Sequence, residues 1–390
     1  MFRRHLLKSV LTLTASVTMI PKAQASCSAN GEVKIAAVGD ILVHGALYAP
    51  ANQSRQGFSS IWSSLTPLFK SADITYGNFE ATAARGLSQS GRQLADPGRV
   101  YDCRHPVDKD GRPNTKRNGG DAVYCVTNFL FNYHPDMIGA LKQSGFSVLS
   151  TANNHSMDRG RLGVDKTVES MQEYGMPFTG TRHSKQNNAF HAITNAKGWK
   201  VAWLGCADAV NWSGAQPQVL RCNSEATMSL IRQLSKDRSI DAVIVTPHWG
   251  GEYQTTPSSS QTRLAKRFAD AGATAVIGNH AHVIQPLRIV KSSDQRDVPV
   301  AYSLGNFVAG QKGIERQMSI VLFLDLSRSG GVTKVRGISA VPVVRVGLKI
   351  VSLDSAIANG GIAGQEREAA QILRSRMSEA RILRPSQVCQ

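Results

Sequence analysis

None of the six cysteines in this 390-residue chain forms a Cys-x-x-Cys pair, which argues against a thiolate metal site. Beyond the first twenty residues no apolar run is long enough to cross a bilayer. There is no long internal repeat and no low-complexity linker. No zinc-finger, RNA-binding or aromatic–basic motif is present, so nothing points to a specific nucleic-acid partner. Acidic residues are scarce, 28 against 45 Lys and Arg, and the formal net charge is +17. That balance favours anionic partners, an anionic polymer or a phosphorylated substrate, although a generally basic surface would give the same number. What the chain does have is apolar mass: 42% hydrophobic residues, enough for one large α/β domain with an appendage.

The first residues read as an export signal. Arg3 and Arg4 precede an apolar run from Leu6 to Ile20, and Ala23-Gln24-Ala25 fits a small-x-small cleavage site before Ser26. Arg-Arg-His-Leu-Leu-Lys resembles a twin-arginine signal, with an ordinary secretory signal as the alternative. The expectation is a signal over residues 1–25 and a periplasmic or secreted protein without a transmembrane anchor once it is removed. An even number of cysteines in an exported chain favours disulfides. Six allow fifteen pairings, of which the nearest-neighbour set is Cys103–Cys125, Cys206–Cys222 and Cys27–Cys389.

The stretch from Asp241 to Pro286 organises the rest. The β-branched run Ala242 to Thr246 empties into Pro247-His248-Trp249-Gly250-Gly251, and Thr274 to Ile277 into Gly278-Asn279-His280-Ala281-His282. Between them Leu264, Phe268 and Ala271 recur at helical spacing. A strand–helix–strand unit makes a parallel pair with both strands ending at one sheet edge, where open α/β sheets keep their ligands. A lone loop histidine is more often hydrogen-bonded than metal-bound. Three of the chain's ten histidines at two successive strand ends point to a metal.

The same event recurs earlier. Strands at Glu32–Gly39, Asp73–Tyr76 and Phe146–Ser150 lead to Asp40, to Asn78 and Glu80, and to Asn154, His155 and Asp158. Helices are expected over Phe58–Lys70, Met137–Ser144, Gly163–Tyr174, Met228–Lys236 and Gln365–Ile382. A hairpin turns at Lys197-Gly198, and a final β section covers Ser319–Leu326 and Val332–Arg345. Residues 84–128, rich in Gly, Arg, Asp and Pro, read as an insertion, a lid or substrate-facing loop or else a solvated decoration. The expected organisation is a main domain over 32–310 and a C-terminal β extension with a helix over 311–390.

The motifs VGDI (Val38–Ile41), GNFE (Gly77–Glu80), ANNHSMDRG (Ala152–Gly160), HWGGEY (His248–Tyr253), GNHAHVIQP (Gly278–Pro286) and YSLGNF (Tyr302–Phe307) occur in this order. Taken together they resemble the calcineurin-like metallophosphoesterases. More closely, from about Val33 to Phe307, they resemble the CapA family of poly-γ-glutamate capsule synthesis proteins. The resemblance implies an α/β fold with a metallophosphatase-like β-sandwich core flanked by helices, αββα. It also implies a site for divalent metal ions (Mn, Zn or Fe) in the strand-end loops. Asp40 and His282 would hold one ion; Asn154, His248 and His280 the other; Glu80 would bridge them. His155 would protonate a leaving oxygen, with Asp158 orienting it. Asn78 would stand behind the ligands, and Asn306 would position the site or cap a turn.

Two departures from the phosphoesterase pattern stand out. Asp40-Ile41-Leu42 lacks the histidine of Asp-x-His, with His44 four residues on reaching in or not, and Asn279 occupies a position where relatives often have histidine. One half of the site then has four protein ligands and the other three unless His44 reaches in, so one tight and one weak ion are expected. Three functions are open: a CapA-like protein of capsule or anionic exopolymer production with a metal-dependent hydrolase-like site, a stand-alone periplasmic phosphoesterase, or a non-catalytic polymer-binding or assembly protein.

Overall fold

Every residue of β1 (Val33–Leu42) is buried, the signature of a strand covered on both faces. The computed structural model describes residues 27–29, 31–100, 122–124, 129–214 and 216–390. The expected export signal over residues 1–25, Cys103, Cys125 and part of the 84–128 stretch lie outside the described residues. β1 pairs in parallel with β2 (Ile74–Phe79), β2 with β3 (Val148–Ser150), and β3 with β4 (Phe178–Thr179).

A second sheet begins with the expected hairpin, β5 (His191–Ala196) and β6 (Trp199–Ala207). Its turn residues Lys197 and Gly198 both have positive φ, 49° and 75°, the backbone that a tight two-residue hairpin requires. β7 (Ala242–His248) and β8 (Ala275–Ile277) follow in parallel, then β9 (Leu287–Lys291) and β10 (Asp297–Ala301), giving the order β5-β6-β7-β8-β10-β9. The chain then returns to the first sheet. β11 (Asn306–Ala309) lies parallel to β1, and β12 (Met318–Ser329) antiparallel to it. β13 (Val332–Val346), β14 (Lys349–Ser352) and the short β15 (Arg381–Ile382) complete it.

Strand alternation sorts the core into layers. From β1, Val33, Ile35 and Ala37 face the second sheet, where they meet Val201, Trp203, Ile244 and Ile277. Tyr76 and Trp203 stack across this interface, centroids 5.3 Å apart and 3° from parallel. Ala36, Val38 and Ile41 face the other way, against α1 (Gly45–Gln53), α2 (Thr66–Lys70) and α3 (Asp136–Gln143), with α4 (Gly160–Glu173) adding Met171. The second sheet is covered by α5 (Glu225–Lys236) and α6 (Ser259–Ala271), which bury Ile231, Leu264 and Phe268 on Val243 and Val245. After α7 (Ile314–Gln317) and α8 (Leu353–Ala358), α9 (Glu366–Arg376) tucks Ile372 and Leu373 into the layer between the sheets. The expected sandwich flanked by helices is therefore present.

Local expectations fail where local chemistry overrides the apolar count. Phe58–Lys70 is not one helix but two 3-10 turns, Gly57–Ile61 and Ser63–Leu65, leading into α2. Four serines in that run offer competing hydrogen bonds to the backbone, and Ser59 and Ser60 do bond back to Gln56 and Gly57. The last helix stops at Arg376 rather than Ile382. β1 does not stop at Gly39 but continues through Asp40 to Leu42.

Two of the three expected disulfides are formed, Cys206–Cys222 and Cys27–Cys389. The former spans 16 residues, a loop for which the chain-entropy model gives about 3 kcal/mol. A Cys206→Ala, Cys222→Ala double variant is expected to lose stability on that scale in denaturant unfolding, and a non-reduced digest should show the two peptides linked. Among the described residues no helix is long and apolar enough to cross a membrane.

Candidate metal centre

The unit that organises the sequence is found as expected: β7 and β8 are parallel and α6 connects them. Its helix starts on a capping box, Ser258 with Gln261, and ends on Gly272 in the left-handed conformation. His248 is the last residue of β7. His280 and His282 follow β8 in a loop where both have positive φ, 93° and 58°. For side chains with a Cβ this backbone is strained and persists only when its surroundings fix it. Gly278 makes the loop feasible: a Cβ there would lie 2.1 Å from the Tyr302 carbonyl oxygen.

The first sheet supplies the carboxylates. Asp40 sits at a register shift between β1 and its neighbours, an irregularity that re-aims a side chain. Gly39 permits the approach of the 302–307 loop, since a Cβ would stand 1.9 Å from the Gly305 carbonyl oxygen. Asp40 accepts from Asn78 Nδ2 at 2.8 Å and from the His280 backbone N–H at 3.3 Å, and lies 3.1 Å from His282 Nδ1. Asn78 Nδ2 is also 3.1 Å from His248 Nδ1, and so fixes that ring against Asp40. On its other side His248 Nε2 meets Asn154 Oδ1 at 2.9 Å. Asn306 Oδ1 is 2.9 Å from His282 Nδ1, and its amide N–H groups bond the backbone carbonyls of His282 and Arg316.

Glu80 lies directly after β2, fully buried, and neither carboxylate oxygen has a hydrogen-bond donor. It stands 3.5 Å from His248 Nε2 and 3.7 Å from His282 Nε2. Burial, and then the charge of Asp40 beside it, hold its carboxyl well above the usual range. Burial and the neighbouring histidines push His248 down, and His280 down to about 4, so both are neutral imidazoles at neutral pH, the form that ligates.

The structure thus brings together Asp40, Asn78, Glu80, Asn154, His248, His280, His282 and Asn306. His155 lies alongside, its Nδ1 2.8 Å from Asp158 Oδ2 and its ring edge-on to Phe131. His44 is near enough to feel charge on His282 and His155. However, its Nδ1 is engaged by Leu42 and Gly310 of the backbone, and it is in none of the ligand clusters. Asn279 turns away, donating to Tyr76 Oη and the Ile277 carbonyl between the sheets.

Two residues escape a reading of strand ends. Asn153 winds the ANNHSMD loop: its amide donates to the Phe79 carbonyl and its oxygen accepts from the His155 N–H. Glu252 reaches the histidines from an exposed loop. Its position inside HWGGEY is the signal that could have singled it out. Among the described residues three clusters have ligand atoms all within 4.8 Å of one another: Asp40, Glu80 and His282; Glu80, His248 and His280; Glu252, His280 and His282. Carboxylates, an amide oxygen and imidazoles suit Mn, Fe or Zn. The buried carboxylate of Glu80, with no donor for either oxygen, is what a cation would satisfy.

A family model described as bacterial capsule synthesis protein PGA_cap matches residues 34–103 and 115–311, a range that holds all these candidate ligands. The chain is 30% identical over 292 residues to the capsule biosynthesis protein CapA of Bacillus anthracis, covering 72% of this chain and 61% of that one. It is 28% identical over 299 residues to the PGA biosynthesis protein CapA of Bacillus subtilis (strain 168), covering 75% and 67%. The match thus spans 61% and 67% of these relatives' length. Among solved structures it is similar to the calcineurin-like phosphoesterase YfkN from Bacillus subtilis, at 16% identity and a TM-score of 0.45, covering 88% of this chain and 99% of that one.

Proposed function

The chain belongs to the bacterial capsule synthesis protein PGA_cap family, and on that footing we propose that it is an exported CapA-like protein of capsule or poly-γ-glutamate production with a metal-dependent hydrolase-like site. The observation that carries the metal is Glu80, a buried carboxylate without a donor, shared between two ligand clusters. Asp40, Glu80 and His282 would hold one ion, and Glu80, Asn154, His248 and His280 the other. Bound divalent ions supply Lewis acidity and offset charge on an anionic reacting centre. Asp158 at Nδ1 orients His155 and leaves Nε2 as the nitrogen that holds or gives a proton to the leaving group, the amide nitrogen of a γ-glutamyl bond or the oxygen of a phosphoester.

Anionic substrates are supported by the rim as well as by the net charge. The Tyr253 ring lies 6.1 Å from that of His282, and the exposed Arg316 guanidinium sits 5.0 Å from the Tyr253 ring. Arg316 has no carboxylate partner among the described residues and remains available to an anion, whereas Arg345 is held by the Gly347 and Gln311 carbonyls at 2.9 and 2.8 Å. Export, periplasmic or secreted, by the twin-arginine route is proposed from Arg3-Arg4, and the disulfides accord with an oxidising compartment.

The purified protein is expected to keep one metal and to take up a second only when manganese or zinc is added, as elemental analysis would show. Failure to take up metal even in excess would remove the site. With metal, hydrolysis of poly-γ-glutamate is the expected result, reduced about 10²–10⁴-fold in His155→Ala. Turnover of phosphodiesters alone would move the assignment to a stand-alone phosphoesterase. Salt-sensitive polyglutamate binding without turnover would make the protein a polymer-binding or assembly factor.

A further inference from the structure

One carboxylate near the centre is absorbed by neither set of ligands. Glu252 is exposed, yet its carboxylate lies within 4.8 Å of ligand nitrogens of both His280 and His282. Within the ligand clusters, Glu80 is shared by His280 in one and His282 in another, whereas Glu252 meets both in a single cluster.

The position of Glu252 is built. The N–H of Tyr253, the next residue, donates to the carbonyl of Ala281 at 2.7 Å, and Ala281 is the residue between the two histidines. Tyr253, like both histidines, has positive φ, 62°, so two strained loops are tied at their strained residues. A second tie comes from Gln285, which donates to the Gln254 carbonyl at 2.8 Å and accepts from Gln261 Nε2 at 2.9 Å. Gly250, at φ 86°, packs so closely on Gln261 that a Cβ there would lie 2.5 Å from its side chain. The HWGGEY and GNHAHVIQP motifs therefore form one braced unit, and Glu252 is the side chain that unit carries towards the metal-facing rings. His280 Nδ1 in the same cluster is buried and has no partner.

We propose that Glu252 is an additional metal ligand, an exposed carboxylate that closes the solvent side of the centre and makes up the ligand missing from the His282 half. The inference rests on the metal-site reading above. Charge bookkeeping agrees. Asp40 and Glu80 bring two negative charges against the four of two divalent ions, and Glu252 brings a third while leaving the centre positive towards an anionic substrate. Being exposed, Glu252 also differs from Glu80 in being free to leave the ion without stranding a buried charge.

The test is a calorimetric manganese titration of the wild type, Glu252→Gln and Glu252→Asp, each checked by elemental analysis and circular dichroism. Replacement of an exposed side chain leaves the fold intact. The expected result is at least a tenfold loss of affinity for the weaker ion in Glu252→Gln, on the scale of ligand-shell losses. The tight ion should be retained, and Glu252→Asp should recover part of the loss. Two ions bound with unchanged affinities in Glu252→Gln would overturn the proposal and leave the metal site standing. A wild type that takes no metal would remove the site and this ligand together.

Discussion

Replacing Glu80 by Gln is expected to move stability in opposite directions with and without metal. In the metal-free protein Glu80 is buried, has no donor for either oxygen and lies beside Asp40. Its carboxyl is therefore held above the ordinary range, and the folded state keeps a proton that the unfolded chain has already lost. Where the native state binds more protons, stability falls as pH rises. The penalty is thus absent below the ordinary carboxylate range and grows as pH climbs towards the raised value. Glutamine has no charge to lose. In chelator, Glu80→Gln should match the wild type near pH 4 and exceed it at about pH 8, by roughly 1–3 kcal/mol, the usual cost of a buried group left unsatisfied. With manganese the order reverses, because the wild type gains binding free energy and the variant has lost the shared ligand. Thermal unfolding at the two pH values, with and without metal, reads all four states. A variant stabilised by metal as strongly as the wild type would refute the bridging role.

The second large effect is at His248. Its two nitrogens face Asn78 and Asn154, and the side chain is 1% exposed. In His248→Ala the tighter ion loses a ligand, Asn154 loses its partner and Asn78 keeps only Asp40. We expect metal retention through purification to vanish, a drop of at least about 100-fold in affinity, with about 1–3 kcal/mol of metal-free stability lost as well. Asp40→Ala is expected to remove only the weaker ion. Elemental analysis before and after adding manganese or zinc separates the two. An ion kept by His248→Ala would show that the halves of the site have been assigned the wrong way round.

Strand ends made most of this centre legible. An apolar β-branched run that stops at a polar residue marks a side chain delivered to a sheet edge, and Asp40, Glu80, Asn154, His248, His280 and His282 all follow such runs. The two layers followed from the resemblance carried by the motifs, and the structure shows why it holds: β1, β2, β7 and β8 are buried along their whole length. Less visible was what depends on the third dimension alone. Asp40 is not after β1 but inside it, aimed by a bulge that leaves no mark in the sequence. His44, whose reach the spacing left open, has its Nδ1 bonded by the backbone at Leu42 and Gly310. Glu252 belongs to an exposed loop with no periodicity, and the bonds from Tyr253 to Ala281 and from Gln285 to Gln254 bring it to the histidines. The serine-rich stretch after Phe58 misled because apolar spacing cannot show that hydroxyls will compete for the helix's own hydrogen bonds.

Cys27 and Cys389 are 362 positions apart and covalently joined, so this stretch of chain is topologically a ring. One proteolytic cut anywhere inside it releases no fragment until a reductant is added, and the nicked chain migrates as a single species on a non-reducing gel. A force applied beyond the two cysteines would be carried by the bridge rather than by the ladder of β1. The fold is therefore held closed mechanically as well as by its packing.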